Sequence, residues 1–310
     1  MSLVINSILL LSLFAFLGLA GNVAVENIKY IASALKIRLF AFGILLGIIT
    51  TLPELSVGLN AMIDDVPSLS AGNLLGGTLV ILGLVLGSSL LLNRGISTDG
   101  QIKSLIPQAA VIFFPLLLGL DGRFSLIDGG LMLLAYLGLI YYLYRVNGSA
   151  GRPHFELIDR RMISRALLLS IVGIVAILLV SHWIVLISLN VLDHLGVSRL
   201  LMGVLIFSIG TNLPEITVTI TTWRKKAPEL SLSHLLSSNF TNVLVLGLLA
   251  VIRPISFNLN SVYWVLMIFS ALILICFLYF YHSGKKLDRR EGILLLGIYA
   301  LFLIVNILIS

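Results

Sequence analysis

Stretches of about twenty apolar residues recur along the chain, separated by short breaks that hold most of the charged side chains. A helix needs roughly 20 apolar residues to cross the hydrocarbon core of a bilayer. The stretches are apolar on all sides, as expected of helices bounded by lipid and by other helices. The period-two alternation of an outer-membrane barrel strand is absent from them. The pattern predicts ten membrane helices, near residues 3–24, 38–62, 68–92, 104–120, 126–145, 164–187, 199–222, 230–251, 260–281 and 291–309. The longest break, Arg145 to Arg165, carries Gly148, Gly151, Pro153 and mixed charges. It reads as a linker between two five-helix halves, 1–150 and 151–310.

Composition agrees. The 310 residues are 59% hydrophobic and 11% charged, with a mean hydropathy of +1.11. A soluble domain is about one quarter charged, so too few charges are present to cover a water-exposed surface. The net charge of +6 does not indicate a nucleic-acid partner, because the basic residues are scattered among the breaks. The single cysteine, Cys276, excludes an intrachain disulfide and a thiolate metal cluster. Met1 to Ala20 lacks a basic leading segment and is therefore expected to be the first membrane helix and not a cleaved signal.

Charge also orients the helices. With the N-terminus outside, cytoplasmic breaks collect Lys29, Lys36, Arg38, Arg94, Lys103, the cluster from Arg145 to Arg165, Arg224 to Lys226, and Lys285 to Arg290. Of the 20 lysines and arginines, only Arg123, Arg199 and Arg253 remain outside. That bias is the positive-inside asymmetry. It predicts a multi-pass plasma-membrane protein with both termini extracytoplasmic.

The two halves resemble each other. In a register of 161 residues, Arg38-Leu39 meets Arg199-Leu200, Thr50 meets Thr211, and Leu52-Pro53-Glu54 meets Leu213-Pro214-Glu215. Pro67 meets Pro228, Leu69-Ser70 meets Leu230-Ser231, and Leu74-Leu75 meets Leu235-Leu236. Five spans per half is an odd number, so equivalent helices cross in opposite directions. The expected fold is all-α and polytopic, with ten transmembrane helices as two inverted-topology five-helix repeats, an architecture that places binding sites at the midplane.

The best-matched part of this internal repeat is polar. Gly47-Ile48-Ile49-Thr50-Thr51-Leu52-Pro53-Glu54 and Ser208-Ile209-Gly210-Thr211-Asn212-Leu213-Pro214-Glu215 each place a proline inside a membrane helix. Proline breaks the backbone ladder and frees carbonyls that need partners in apolar surroundings. Hydroxyls of Thr50, Thr51 and Thr211, the Asn212 amide oxygen and those carbonyls would form an oxygen cage. Of 14 acidic residues, only Glu54 and Glu215 fall well inside predicted spans. A carboxylate there is costly and marks function. Neutral oxygens with two carboxylates suit Ca²⁺ or another hard cation, and proton coupling is physically open as well. Partner segments follow at Ser70 to Ile81 and Ser233 to Asn242, where small residues permit close helix contact and Asn73, Thr78, Ser238, Asn239 and Asn242 supply polar atoms. His234 either titrates near neutral pH or bonds across helices.

With its doubled motif, the chain resembles the cation/Ca²⁺ exchanger superfamily, particularly prokaryotic sodium/calcium exchangers. The likeness is concentrated in residues 38–87 and 199–248, the two alpha-repeats. It implies cation ligation by Thr50, Thr51 and Glu54 with backbone near Gly47, and by Thr211, Glu215, Ser238 and Asn242 with backbone near Ser208. Asn212 stands where the family has serine and still offers an oxygen. The chain departs from the signature at Ile49, Gly77, Thr78 and Ile81 in the first half, and at Ser233, His234 and Ser237 in the second. The helix 3 side thus lacks a hydroxyl and an amide or carboxylate. The resemblance also implies that helices 1 and 6, read as apolar and smooth, slide against the ion core.

These readings converge on a cation antiporter carrying Ca²⁺ and Na⁺ by alternating access, with inorganic cations and the lipid bilayer as its partners and no cofactor. Two alternatives stand beside it: a cation/proton antiporter, and a non-transporting scaffold or sensor on the exchanger fold. An enzyme is not expected, since no nucleophile elbow, zinc-type histidine pair or nucleotide loop is present in the sequence.

Overall fold

The computed structural model describes residues 3–34, 47–92, 95–98, 100, 102–147, 160–195, 198–224, 228–283 and 286–309. The helices are α1 (Leu3–Ala34), α2 (from residue 47, with its main segment Leu52–Ile63), α3 (Pro67–Leu92), α4 (Leu105–Leu118), α5 (Leu126–Asn147), α6 (Arg160–Leu195), α7 (Arg199–Met202, Gly203–Phe207, Ser208–Thr211 and Leu213–Arg224), α8 (Pro228–Ile252), α9 (Ser261–Ser283) and α10 (Arg289–Ile309). Eight apolar helical stretches among the described residues are long enough to cross a membrane, and Leu105–Asp121 is a shorter one. The chain is thus an all-α polytopic membrane protein. The start of the predicted second helix, 38–46, and most of the predicted linker, 148–159, lie outside the described residues.

Two helices overrun their expected ends. α1 continues to Ala34 and α6 spans Arg160–Leu195. Charged residues end a membrane-embedded stretch without ending a helix, because glutamate, lysine and arginine are good helix formers. Two π-helical segments, Val80–Leu86 in α3 and Gly203–Phe207 in α7, had no counterpart in the expected pattern. π-bulges of this kind accumulate near functional sites.

Four two-residue strands tie the ends of the helices. Before α10, β4 (Lys286–Leu287) pairs antiparallel with β1 (Ile96–Ser97), which follows α3. At that end Thr98 Oγ1 donates to Tyr281 O at 3.1 Å, and Tyr142 OH donates to Lys103 O at 3.1 Å. After α8, β3 (Ile255–Ser256) pairs with β2 (Arg123–Phe124), which follows α4. Here Phe257 N donates to Gly122 O, and Arg253 bridges to the α2–α3 turn through Met62 O (2.8 Å) and Asp65 (2.6 Å). The turns after α2, α4 and α8 therefore share one end, called the β2–β3 end. The C-terminal ends of α3, α5 and α9 share the other, the β1–β4 end.

Apolar packing forms two bodies. The larger is built mainly on α3, α4, α5, α8, α9 and α10. The smaller joins α1 and α6 to Val57, Ala61, Leu69, Met202 and Phe207 of the intervening helices. Between them α3 and α7 cross with their backbones in contact. A side chain on Gly203 would meet Asn73 N at 2.8 Å and Gly72 Cα at 3.0 Å, while one on Gly72 would meet Val204 N at 3.0 Å. Only glycine permits that approach, and it draws the polar faces of both helices together.

Candidate cation site

Both motif helices break at the same register. Thr51 (φ −90°, ψ 9°) and Asn212 (φ −82°, ψ 12°) adopt nearly the same bridge-region conformation at the breaks. Pro53 and Pro214 follow and cannot donate to the preceding turn. The ladder resumes with Leu55 N to Thr51 O at 3.0 Å and Ile216 N to Asn212 O at 3.1 Å. Each break thus opens a new helix start just before its glutamate.

All eight expected ligand residues are buried at the centre, with at most 4% of any of them exposed. The two halves interlock crosswise. Thr211 stands beside Glu54 and Thr50 beside Glu215, and the two carboxylates are close enough for their charges to interact. The Thr211 hydroxyl is directed to Asn73 Oδ1 at 3.0 Å. The Thr50 hydroxyl bonds back to Gly47 O at 3.1 Å, and Thr51 bonds to Gly47 O and Ile48 O at 3.2 and 3.0 Å. In this conformation the first-half threonines therefore cap their own broken helix.

The lopsidedness expected from the sequence has a structural form. Ser238 Oγ donates to Glu215 Oε1 at 2.8 Å. The residue in register with Ser238 is Gly77, which has no hydroxyl, and neither oxygen of Glu54 has a hydrogen-bond partner. A Cβ on Gly77 would sit 2.7 Å from Asn242 Nδ2 and 3.6 Å from Asn212 Nδ2. The amide of Asn242 thus borders the space a serine would use. Ile81, in register with Asn242, is fully buried and apolar. Glu54 Oε1 and Oε2, Glu215 Oε2, Asn212 Oδ1 and Asn242 Oδ1 are buried acceptors without partners. Such groups are rare and need an explanation. Among the described residues no group of three or more histidines, cysteines and carboxylates converges.

Residues 5–145 and 165–308 match the sodium/calcium exchanger protein family. The chain belongs to that family. Membership places it among exchangers and not among enzymes. An uncharacterized membrane protein of Methanocaldococcus jannaschii is 28% identical over 254 residues, which span 81% of this chain and 80% of that protein. The sodium/calcium exchanger MaX1 of Methanosarcina acetivorans is 25% identical across 97% of this chain and 98% of its own. Among solved structures, the sodium-calcium exchanger NCX_Mj soaked with 10 mM Na⁺ and 10 mM Sr²⁺ superposes with a TM-score of 0.68 at 22% identity, covering 98% of this chain and 99% of that one.

Three contacts of this exchanger were not foreseen, although Asn73, Thr78 and Asn239 were among the polar residues expected in the partner segments. Asn73 positions Thr211. Thr78 Oγ1 donates to Asn239 Oδ1 at 2.9 Å, and these two residues occupy the same register in the two halves. On α6, the helix expected to be apolar and smooth, Ser181 bonds to α2. The spacing of 161 residues contained the second contact. No periodicity marks the first or the third.

Proposed function

We propose that the protein exchanges Na⁺ for Ca²⁺ by alternating access, with the cation held between Glu54 and Glu215. The observation that carries this reading is the facing pair of buried carboxylates with three of their four oxygens lacking a donor. Their two negative charges balance one divalent cation, and hard oxygen ligands suit Ca²⁺. Thr50, Thr51, Thr211, Asn212, Ser238 and Asn242 complete the shell, with the Thr50 and Thr51 hydroxyls turning from the backbone carbonyls they now cap and the Thr211 hydroxyl from Asn73. Na⁺ uses overlapping oxygens on the return stroke. The names of MaX1 and NCX_Mj support the assignment of ions.

The same proposal includes ten membrane helices in two inverted halves, 1–150 and 151–310. Two reciprocal contacts support it. Gly47 faces Ser237 across α2 and α8, and Gly76 faces Ser208 across α3 and α7, which is the same pair with the halves exchanged. The Thr78–Asn239 bond lies where such an exchange maps a contact onto itself. The grouping of alternate turns at the β1–β4 and β2–β3 ends fits ten alternating spans. The β2–β3 end, with Arg123 and Arg253, is the outer one, and both termini are extracytoplasmic.

The test is ⁴⁵Ca²⁺ uptake by proteoliposomes with an outward Na⁺ gradient, alongside a Na⁺-free arm with a pH gradient and a Glu54→Gln control. Na⁺-driven uptake abolished by the substitution is expected. Uptake driven only by the pH gradient would replace Na⁺ with H⁺. Flux untouched by Glu54→Gln would remove the glutamates from the mechanism.

A further inference from the structure

The expected ligand residues are all buried, so an ion reaches them only when packed surfaces part. The seam between the small α1/α6 body and the rest of the molecule carries an uneven set of contacts. On the α1 side, from Phe14 to Ala24, it is apolar, with Phe14 edge-on to Phe207 of α7. Gly18 packs on Leu213, Gly21 on Pro214 and Pro53, and Ala20 and Ala24 are buried where α1 crosses α6. None of these has a side-chain donor or acceptor.

On the α6 side the seam is polar at Ser181, which is fully buried. Its Oγ lies 2.5 Å from Ser56 Oγ and 2.8 Å from Asn60 Nδ2, both on α2, and donates to Leu178 O at 3.0 Å. A hydroxyl has one proton and two lone pairs. With its proton on Leu178 O, Ser181 Oγ has lone pairs for both the Ser56 hydroxyl and the Asn60 amide. Asn60 Nδ2 also donates to Ser56 O at 2.9 Å. Ser181 is saturated by this arrangement, and pulling α6 from α2 strands several buried polar atoms at once.

Ser56 and Asn60 lie between Glu54 and the β2–β3 end. Arg253 ties the α2–α3 turn to the end of α8 at that same end. In the register of the repeat, Arg253 corresponds to Leu92 and Ser181 to Ala20, while Ser56 and Asn60 correspond to Thr217 and Thr221, so what the other half lacks is the α6 hydroxyl and the α8 guanidinium. We propose that the Ser181–Ser56–Asn60 cluster is a latch that holds the molecule closed toward the β2–β3 end and biases the two-way equilibrium of access to the opposite end. The inference requires the seam to open but holds whichever cation is carried.

Ala61, fully buried next to the latch, provides the probe. In a Cys276→Ala background, Ala61→Cys is treated with a membrane-impermeant thiol reagent, with and without Ser181→Ala. Loss of the latch should raise the modification rate about tenfold, the equilibrium effect of one to two net hydrogen bonds. Ser181→Thr, which keeps the hydroxyl, should stay near the parent rate. A rate unchanged by Ser181→Ala would overturn the proposal. A Val245→Cys control, buried in the larger body, must stay unreactive throughout. If it reacts in Ser181→Ala, the fold is lost and Ser56→Ala decides by the same criterion. Transport is not needed for the readout, so its failure is separable from failure of the exchange reading.

Discussion

Glu54→Gln should raise the thermal stability of the protein in cation-free buffer while removing its response to Ca²⁺. In the structure both Glu54 oxygens are buried without a donor, and Glu215 stands close enough to repel the charge. A buried polar group left unpaired costs about 1–3 kcal/mol, and more when charged. The substituted side chain keeps the shape and cannot carry a charge beside Glu215, whether or not a cation is bound. A gain of about 2 kcal/mol is expected, which for a chain of this size is a rise of roughly 3–6 °C in Tm. Ca²⁺ at a hundredfold excess over its Kd stabilises a binding protein by about 2.7 kcal/mol, and that increment should disappear. Glu215→Gln should lose the same Ca²⁺ response with a smaller gain in chelator, because Ser238 already satisfies one Glu215 oxygen. The assay is thermal unfolding in detergent, with chelator or with saturating Ca²⁺. A lower Tm for Glu54→Gln in chelator together with an unchanged Ca²⁺ shift would refute the reasoning.

Two further substitutions probe the join between the halves. Thr78→Val removes the donor to Asn239 at nearly constant volume and should cost about 1–3 kcal/mol, read as a fall in Tm that Thr78→Ser largely avoids. Gly77→Ser places a side chain against Asn242 Nδ2 and should weaken Ca²⁺ binding, and Asn242→Ala, which removes a proposed ligand, should weaken it too. The double-mutant cycle, measured by Ca²⁺ titration, should show a coupling of about 0.5–3 kcal/mol, whereas strict additivity would mean that the two residues act independently.

Helix placement and the two broken motifs were legible in the sequence because both rest on local chemistry. A run of apolar residues is long enough to span or it is not, and Leu-Pro-Glu inside such a run must break the ladder. The 161-residue register then paired Glu54 with Glu215, and the family resemblance marked Gly77 and Ile81 as departures from its signature in the first half. Three features depended on distance in space and were not readable. The back-bonding of Thr50 and Thr51 depends on how far the freed carbonyls tilt. The insertion of Asn242 beside Gly77 depends on how closely α3 and α8 pack. Ser181 looked like one small residue in an apolar helix, and only the crossing of α6 over α2 gives it Ser56 and Asn60 as partners. The ends of α1 and α6 were missed because charge was allowed to end the helix, when it ends only the membrane-embedded part.

The central claim is that one divalent cation binds between the two glutamates. Anomalous diffraction from crystals soaked in Sr²⁺ tests it most directly. The account predicts a single strong peak between Glu54 and Glu215, within ligand distance of Ser238 Oγ and the Asn242 amide oxygen, and no peak there in Glu54→Gln crystals. A peak elsewhere in the protein, or none at this position in well-ordered wild-type crystals, would contradict it.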